Sequence, residues 1–222
     1  MSTITLVGLD GAGKTTIAKL LIQSSAQRMK YLYMGTAIGS SNYALPTSRL
    51  LHYLKERKSR SWTSGVQHSL RSLEKRDVRG RIAAVFRLCH RLSEEWFRQL
   101  VSWAFQLRGF VVLYDRHFIF ECAPNNVEDQ QHRILSDRIH FWLLCHLYPK
   151  PQLVFFLDAP PTVLFERKPE ATLEYLTVRR KVYLKLGKKM PAFFRIDATQ
   201  PPDAVLAEIQ SQIDGMRGNG PG

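Results

Sequence analysis

Five short apolar runs are spaced along the chain between longer segments of mixed polarity. Continuous apolar runs rich in β-branched and aromatic side chains are typical of strands that are buried on both faces. The runs are Ile4–Val7, Met29–Met34, Phe110–Tyr114, Leu153–Asp158 and Phe193–Asp197. Because helical patterns separate them, they predict an α/β domain in which helices cover a parallel sheet.

The segments between the apolar runs have apolar residues at helical spacing. The predicted helices cover Thr15–Gln27, much of Pro46–Leu107, Asp129–Leu147, a segment starting at Pro160 and Pro161, a basic segment from Arg179 to Lys189, and about Pro202–Ile213. We expect a single domain over residues 1–214, with a basic helical region at about 43–108. Its polar centre, Trp62–Val78, is predicted to be mobile. The glycine-rich tail 215–222 is predicted to be disordered.

Positive charge is concentrated in one part of the chain. The formal net charge is +13, and the segment from Pro46 to Arg108 has fourteen Lys and Arg against five Asp and Glu. Such a segment is either a solvated helix face or a surface that attracts a polyanionic acceptor, an acidic membrane or a nucleic acid. Nucleic acid is the least favoured partner, because no RNA- or DNA-binding signature accompanies the charge.

The remaining composition points to a cytoplasmic protein without structural cross-links. Residues 1–3 do not resemble a signal peptide, and no apolar run approaches the length of a membrane-spanning helix. Cys89, Cys122 and Cys145 are widely spaced without a C-x-x-C pair, so we expect free thiols and neither a disulfide framework nor a zinc site.

A glycine-rich turn follows the first predicted strand and opens the first predicted helix. The stretch from Gly8 to Thr16 fits the pattern G-x-x-x-x-G-K-[ST], in which backbone N–H groups and a helix N-terminus surround a nucleotide phosphate. Lys14 is expected to reach the β- and γ-phosphates, and the Thr15 hydroxyl to bind Mg²⁺. The residues assigned to nucleotide binding are Gly8, Asp10, Gly11, Ala12, Gly13, Lys14, Thr15 and Thr16. We call Gly8–Thr16 the phosphate loop.

A second polar cluster follows the third predicted strand, where Asp115-Arg116-His117 ends a buried apolar run. Ligands of open α/β sheets bind outside the carboxyl ends of the strands. Asp115 is assigned as a general base or Mg²⁺ ligand, and Arg116 as a phosphate clamp; the alternative is a structural ion pair between these two residues. His117 is interpreted as a packing residue in preference to a proton shuttle, and Asp158 is left outside the catalytic set.

These motifs together resemble thymidylate kinases, a family of P-loop nucleoside monophosphate kinases. The resemblance rests on Val7–Thr16, Asp115–His117, Phe156–Pro161, Arg179-x-x-x-Tyr183 and Ile196–Gln200. It implies a three-layer α/β/α fold with a five-stranded parallel sheet of order 2-3-1-4-5 and a helical insertion before strand 3. It also implies a lid at about 163–185 that contains Glu166–Thr172, and an adenine site beside the turn after Asp197.

The resemblance further implies roles for several cations and for one acid. Arg167 in the lid is expected to be catalytic together with Lys14, Asp115 and Arg116, although a surface role for Arg167 and Lys168 stays open. The residues assigned to the acceptor are Asp10, Arg87, Arg91 and Arg116. Asp10 either orders Mg²⁺ water or the acceptor, or caps the following helix. The assigned metal ligands are Thr15 and Asp115.

The chain departs from the family mainly on the acceptor side. Thymidylate kinases have Arg-Glu-Pro-Gly-Gly-Thr after their second strand, whereas this chain has Met34–Gly39 without an arginine. His117 stands where the family has tyrosine, and Arg167–Glu170 lacks the spaced arginines of the family lid. The donor half of the site therefore resembles the family more closely than the acceptor half.

The combined pattern predicts an ATP- and Mg²⁺-dependent kinase for a small-molecule acceptor. A nucleoside monophosphate such as dTMP is the first candidate, and a sugar or glycolipid precursor of polysaccharide or lipopolysaccharide synthesis is the second. An ATP-gated binding protein with a basic docking surface is the alternative from another class. Peripheral contact with an acidic membrane and a homodimer are left open.

Overall fold

The fold is described from a computed structural model that covers residues 2–25, 27–36, 41–46, 78–125 and 135–218. The strands are β1 (Thr3–Gly8), β2 (Met29–Tyr33), β3 (Val111–Asp115), β4 (Leu153–Asp158) and β5 (Phe193–Asp197). The helices are α1 (Lys14–Ser24), α2 (Val78–Leu107), α3 (Phe118–Glu121), α4 (Leu135–His146), α5 (Pro161–Arg167), α6 (Leu173–Gly187) and α7 (Pro202–Gly218).

The five strands form one parallel sheet in the order β2-β3-β1-β4-β5. β1 is central, with Ile4 opposite Leu113 of β3 on one side and opposite Leu153 of β4 on the other. The predicted parallel sheet and strand order are therefore confirmed. The order reverses at β1, so β1 and β3 diverge at the topological switch point, where ligands of such sheets bind.

Helices cover both faces of the sheet and complete a three-layer arrangement. α1 packs with α7, and α2 packs with α4. All residues of β1 and β4 are buried, as their apolar sequences predict. One core cluster contains residues such as Ile17 of α1 and Ile209 of α7, and a second joins β3 to α2 and α4. The predicted three-layer architecture is confirmed.

Local sequence signals explain several of the element ends. Gly109 has a φ of 77°, a left-handed conformation that stops α2 just before β3. Pro161 occupies the first turn of α5. Backbone N–H groups in the first turn of a helix have no acceptor within the helix, so a proline there costs no helical hydrogen bond. Thr172 caps α6 by accepting a hydrogen bond from the Tyr175 backbone N–H at 3.2 Å.

Several predicted boundaries are wrong by a few residues. α1 ends at Ser24 and not at Gln27, because Ser25 takes an extended conformation. β3 includes Asp115, which pairs with Tyr33 across the sheet. α7 continues to Gly218, so residues 215–218 are helical and not part of a disordered tail. A single glycine such as Gly215 costs a helix only about 1 kcal/mol, which does not stop its propagation.

Some predictions concern residues that the structure does not describe. Residues 47–77 lie outside the described ranges, and with them much of the basic region and nearly all of the segment predicted to be mobile. The start of the helix predicted from Asp129 and residues 219–222 lie outside these ranges as well. In the described ranges, no helix combines the length and the apolar character needed to cross a membrane.

Candidate functional site

The phosphate loop connects the end of β1 to the start of α1 in a conformation that requires glycine. Gly11 and Gly13 have φ angles of 86° and 80°. A Cβ atom on Gly8 would lie 2.8 Å from the Leu157 carbonyl oxygen, and one on Gly11 would lie 2.8 Å from that of Leu164. The loop therefore lies directly against β4 and α5, at the N-terminus of α1.

Lys14 is buried inside this loop. Its ammonium group donates a hydrogen bond to the Leu9 carbonyl at 2.8 Å and lies 3.8 Å from the Asp10 carboxylate. Burial, together with the nearby Arg116, lowers the pKa of Lys14 to about 8. An anion in the loop would offset both effects and favour the charged ammonium.

Asp115 at the end of β3 has one satisfied carboxylate oxygen and one unsatisfied oxygen. Its Oδ2 atom accepts a hydrogen bond from the Tyr31 hydroxyl at 2.7 Å and lies 3.4 Å from the Thr15 hydroxyl. Its Oδ1 atom is buried and has no hydrogen-bond partner among the described residues. A buried, unpaired carboxylate oxygen is costly, so this position suits a bound cation, a water molecule or a substrate proton.

Tyr31 was not identified from the sequence, although it lies within the second predicted strand. Burial and its hydrogen bond to Asp115 raise the pKa of the Tyr31 hydroxyl. The hydroxyl therefore stays protonated and donates to Asp115. The contact between Tyr31 and Asp115 forms because β2 pairs with β3. No local sequence pattern marks a tyrosine that makes such a contact.

Arg116 lies between two acids in a strained backbone conformation. Its φ is 68°, in the left-handed region, and its backbone N–H donates to the Leu6 carbonyl of β1. Its guanidinium donates to Asp10 at 2.6 Å and to Glu121 at 2.8 Å. The two carboxylates hold the pKa of Arg116 above its usual range. Asp10 and Glu121 are therefore its partners, and the alternative ion pair between Asp115 and Arg116 is not formed.

Glu121 connects Arg116 to the loop that follows β2. Its second carboxylate oxygen accepts hydrogen bonds from the Thr36 backbone N–H at 2.7 Å and from the Thr36 hydroxyl at 2.9 Å. This contact occurs just after Met34, where thymidylate kinases have an arginine. A carboxylate of α3 thus holds the loop in place.

A buried ion pair on α2 holds the same loop from behind. Arg98 is 1% exposed, and it donates to the Gly35 carbonyl at 2.7 Å and to Glu94 at 2.9 Å. Glu94 also accepts from the Leu45 backbone N–H at 3.0 Å. The pair therefore contacts both ends of the segment between Gly35 and Leu45. Arg98 and Glu94 were not identified from the sequence, because their i, i+4 spacing alone does not distinguish them from a surface pair.

Two cavities adjoin Arg116. The larger, of about 520 Å³, lies beside Asp115. Its lining residues are Asp10, Thr15, Tyr31, Tyr33, Thr36, Asp115, Arg116 and Glu121. The smaller, of about 220 Å³, extends from Gly8 toward Tyr175 and Arg179 of α6. Arg116 thus borders both spaces next to the phosphate loop.

Comparison with known proteins identifies kinase relatives. The chain is 31% identical over 119 residues to a thymidylate kinase of Thermosipho africanus, a match that spans 48% of this chain and 56% of that protein. It is 25% identical over 228 residues to a probable thymidylate kinase of Archaeoglobus fulgidus, covering 95% of this chain and 94% of the relative. No family model matches the chain.

A solved structure supports the same fold. A deoxyadenosine kinase from M. mycoides, determined with dCMP and dCDP, superimposes with a TM-score of 0.54 at 16% identity, covering 96% of this chain and 99% of that one. The chain has a thymidylate kinase-like P-loop kinase fold. The names of the relatives support the predicted class of protein, a phosphotransferase.

In this thymidylate kinase-like fold, Arg167 lies over the phosphate loop. Its guanidinium donates to the Ala198 carbonyl at 2.8 Å, and its Cβ lies 3.6 Å from the position that a Cβ of Gly11 would occupy. Arg167 therefore extends from the phosphate loop to the turn after β5. Lys168 pairs with Glu170 at 2.9 Å. The lid role of both cations stays a prediction.

Arg87 and Arg91 lie on exposed positions of α2. Arg91 forms an ion pair with Asp137 of α4 at 3.0 Å. Neither arginine is among the described residues that line the two cavities beside Arg116. Their assignment to the acceptor stays a prediction, whereas Arg98 contacts the loop directly.

His117 and Asp158 have structural partners. Burial lowers the pKa of His117 to about 3, so its ring is neutral near pH 7, and its Nδ1 accepts from the Ile119 N–H. Its Nε2 atom is buried and has no hydrogen-bond partner among the described residues, so the interpretation of His117 as a packing residue stays a prediction. Asp158 forms ion pairs with Arg180 and Arg195, each at 2.6 Å. This agrees with its exclusion from the catalytic set.

Proposed function

We propose that this protein is an ATP-dependent kinase that transfers a phosphoryl group to a small-molecule acceptor. The observation that carries the proposal is Asp115 Oδ1, which is buried at the junction of the phosphate loop and the cavity beside Arg116 and has no hydrogen-bond partner in the described part of the chain. A charge-bearing atom left unpaired between two candidate ligand sites is typical of a reaction centre.

The donor side suits ATP and Mg²⁺. The phosphate loop leaves no room for a Cβ at Gly8 or Gly11, so a phosphate can approach its backbone closely. Thr15 and Asp115 supply oxygen atoms of the kind that Mg²⁺ prefers, and the Thr15 hydroxyl lies 3.4 Å from Asp115 Oδ2. When bound, ATP supplies the phosphoryl group and Mg²⁺ neutralises part of its charge.

On the acceptor side, this chain supplies one base and one clamp. Asp115 Oδ1 orients the attacking oxygen of the acceptor and takes its proton when that oxygen is a hydroxyl. Arg116 offers a planar guanidinium to an anionic acceptor. When the acceptor binds, its anionic group takes the place of one of the two carboxylates that contact Arg116, those of Asp10 and Glu121. Lys14 and Arg167 stabilise the charge that develops on the transferring group.

The first candidate acceptor is a nucleoside monophosphate such as dTMP. The names of the two sequence relatives support this choice. The second candidate is a phosphorylated or acidic sugar or glycolipid precursor. The loop after β2 supports this candidate. Thr36 in this loop is hydrogen-bonded to Glu121, and the loop sequence Met34–Gly39 lacks the arginine that thymidylate kinases have there.

A panel of acceptors with labelled ATP tests this proposal. Nucleoside monophosphates and phosphorylated sugars are offered to the wild-type protein, to Lys14→Ala and to Lys19→Ala, whose lysine is exposed on the same helix. Transfer to dTMP by wild type and Lys19→Ala, but not by Lys14→Ala, supports the first candidate. Transfer only to a sugar supports the second. ATP binding without transfer to any acceptor contradicts the kinase and favours an ATP-gated binding protein.

A further inference from the structure

Three metal-ligating side chains meet outside the phosphate site, each from a different segment. Glu95 lies on α2, His140 on α4, and Cys122 directly follows α3. One ligand atom from each lies within 4.8 Å of the other two. From this geometry we propose that Glu95, Cys122 and His140 bind a Zn²⁺ ion.

The cluster is well enclosed. Glu95 and His140 are buried, and Cys122 is half-buried. The His140 Nε2 atom lies 2.7 Å and 2.9 Å from the two carboxylate oxygens of Glu95. The imidazole therefore presents one nitrogen to the same space as the carboxylate and the thiol.

The ligand types suit zinc more than a hard cation. Thiolate, imidazole and carboxylate are all zinc ligands, whereas Mg²⁺ and Ca²⁺ prefer oxygen alone. One thiolate and one carboxylate balance the charge of Zn²⁺ when the imidazole is neutral. A bound ion thus leaves no net charge in this buried space, which avoids the cost of an uncompensated charge.

The spacing requires only small movements. Tetrahedral zinc with bonds of about 2.0–2.3 Å places its ligand atoms about 3.3–3.6 Å apart. Glu95 and His140 must separate by roughly 0.5 Å from their hydrogen-bond distance, and the thiol must approach from at most 4.8 Å. With three protein ligands, the fourth position is left to water.

The site would connect helices that surround the acceptor side. Cys122 directly follows Glu121, the partner of Arg116, and Glu95 directly follows Glu94, the partner of Arg98. The Tyr148 hydroxyl donates to the Glu95 carbonyl at 3.2 Å, and the Tyr148 ring packs against His117 and Phe118. Zinc would therefore fix α2 and α4 to the segment that carries Glu121. This inference does not depend on the proposed kinase activity.

The sequence indicates no zinc site, because its cysteines are widely spaced. The three ligands lie far apart along the chain, and the tertiary structure alone brings them together. Spacing motifs detect sites within one local segment and do not detect a site shared by three elements.

Cobalt substitution tests the site on the full-length protein. After treatment with a chelator, wild-type protein is titrated with Co²⁺, and the thiolate-to-cobalt charge-transfer absorption is recorded. We expect one equivalent of Co²⁺ to produce the band and Zn²⁺ to displace it. Cys122→Ser should lose the band, and Cys122→Ser and His140→Gln should bind Zn²⁺ more than about a hundredfold more weakly.

Two controls separate this site from other metal contacts. Cys145→Ser changes a different half-buried cysteine, which lies on α4. Asp115→Asn changes the proposed Mg²⁺ ligand. Both variants should keep the absorption band. Zn²⁺ should also raise the melting temperature of wild type but not that of Cys122→Ser, with folding of each variant checked by circular dichroism. Absence of the band in wild type, or its persistence in Cys122→Ser, would overturn the proposal.

Discussion

The proposed donor and acceptor sides of this site are built in different ways. The donor side is mainly backbone: the phosphate loop depends on positive φ angles at Gly11 and Gly13 and on close contacts with Leu157 and Leu164. The acceptor side is held by side-chain ion pairs, in which Glu121 binds Arg116 and Arg98 binds Glu94. Backbone N–H groups can bind the phosphate of any nucleotide. The side chains that form ion pairs can be replaced by others without a change of fold. We therefore expect specificity to change on the proposed acceptor side.

The largest expected effect comes from Asp115, which both sides share. Asp115→Asn keeps an oxygen for the Tyr31 hydroxyl but removes the charge and the base. We expect phosphoryl transfer to fall by about 10²–10⁴-fold while the protein stays folded. Single-turnover kinetics with the acceptor identified by the panel provide the measurement. Unchanged transfer would remove Asp115 from the catalytic set.

Arg98→Met changes the acceptor side alone. Because it leaves Glu94 buried without this cationic partner, we expect the free energy of unfolding to fall by about 3–5 kcal/mol. The KM for the acceptor should rise while the KM for ATP stays unchanged. Denaturant unfolding and steady-state kinetics provide the two readouts.

The double variant Glu94→Gln, Arg98→Met is the control for this prediction. It removes both charges, so it should recover much of the lost stability without restoring the contact to Gly35. If the KM for ATP changed as much as the KM for the acceptor, Arg98 would not act on the acceptor side alone.

Gly11→Ala changes the donor side alone. The substitution puts a Cβ 2.8 Å from the Leu164 oxygen and forces alanine into a positive φ, so we expect a loss of about 1–3 kcal/mol of stability. ATP binding, measured by calorimetry, should weaken. Gly215→Ala is the matched control, because Gly215 lies in α7 with open space around it; there we expect a gain of up to about 1 kcal/mol.

The buried His117 predicts that the free energy of unfolding depends on pH. Its folded-state pKa is about 3, whereas the unfolded chain has the ordinary value of about 6.5. Below pH 6.5 the unfolded chain binds a proton that the folded protein does not, so stability falls as the pH falls. Between pH 6.5 and 5 the loss is about 2 kcal/mol. His117→Asn should show a smaller loss in the same unfolding experiment; an equal loss would assign the effect to other groups.

Arg91→Ala should have the smallest effect. Arg91 pairs with Asp137 on the surface, and exposed pairs contribute about 0–1 kcal/mol. We expect unfolding and acceptor KM values close to those of wild type, in contrast to Arg98→Met on the same helix. A tenfold rise in acceptor KM would instead support the sequence-based assignment of Arg91 to the acceptor.

The sheet could be predicted because each of its strands has a local signature. The runs from Ile4 and Leu153 are mainly apolar, with Thr5 and Asp158 as the exceptions, which is what burial on both faces favours. The strand order itself came from the resemblance to thymidylate kinases and is confirmed. The helix ends were less predictable, because Ser25 and Gly215 have no strong stop or continuation signal of their own.

The site could be predicted only in part for a related reason. The phosphate loop was found from one continuous stretch, and Asp115-Arg116 from the end of a buried strand. The sequence did not reveal the roles of Tyr31, Arg98 and Glu121, because each of them forms its hydrogen bonds with residues that folding brings close. The arginines chosen from α2, Arg87 and Arg91, lie on exposed positions of the helix, whereas Arg98 is buried against the loop.

The sequence by itself determined the strands, the phosphate loop and the position of Asp115, since these depend on residues that are neighbours along the chain. Only the tertiary structure decided which acids hold Arg116, which arginine holds the loop after β2, and which three side chains meet at Cys122. The physical reason is that side-chain charges interact over a few ångströms in space, and folding brings together residues that are distant in sequence.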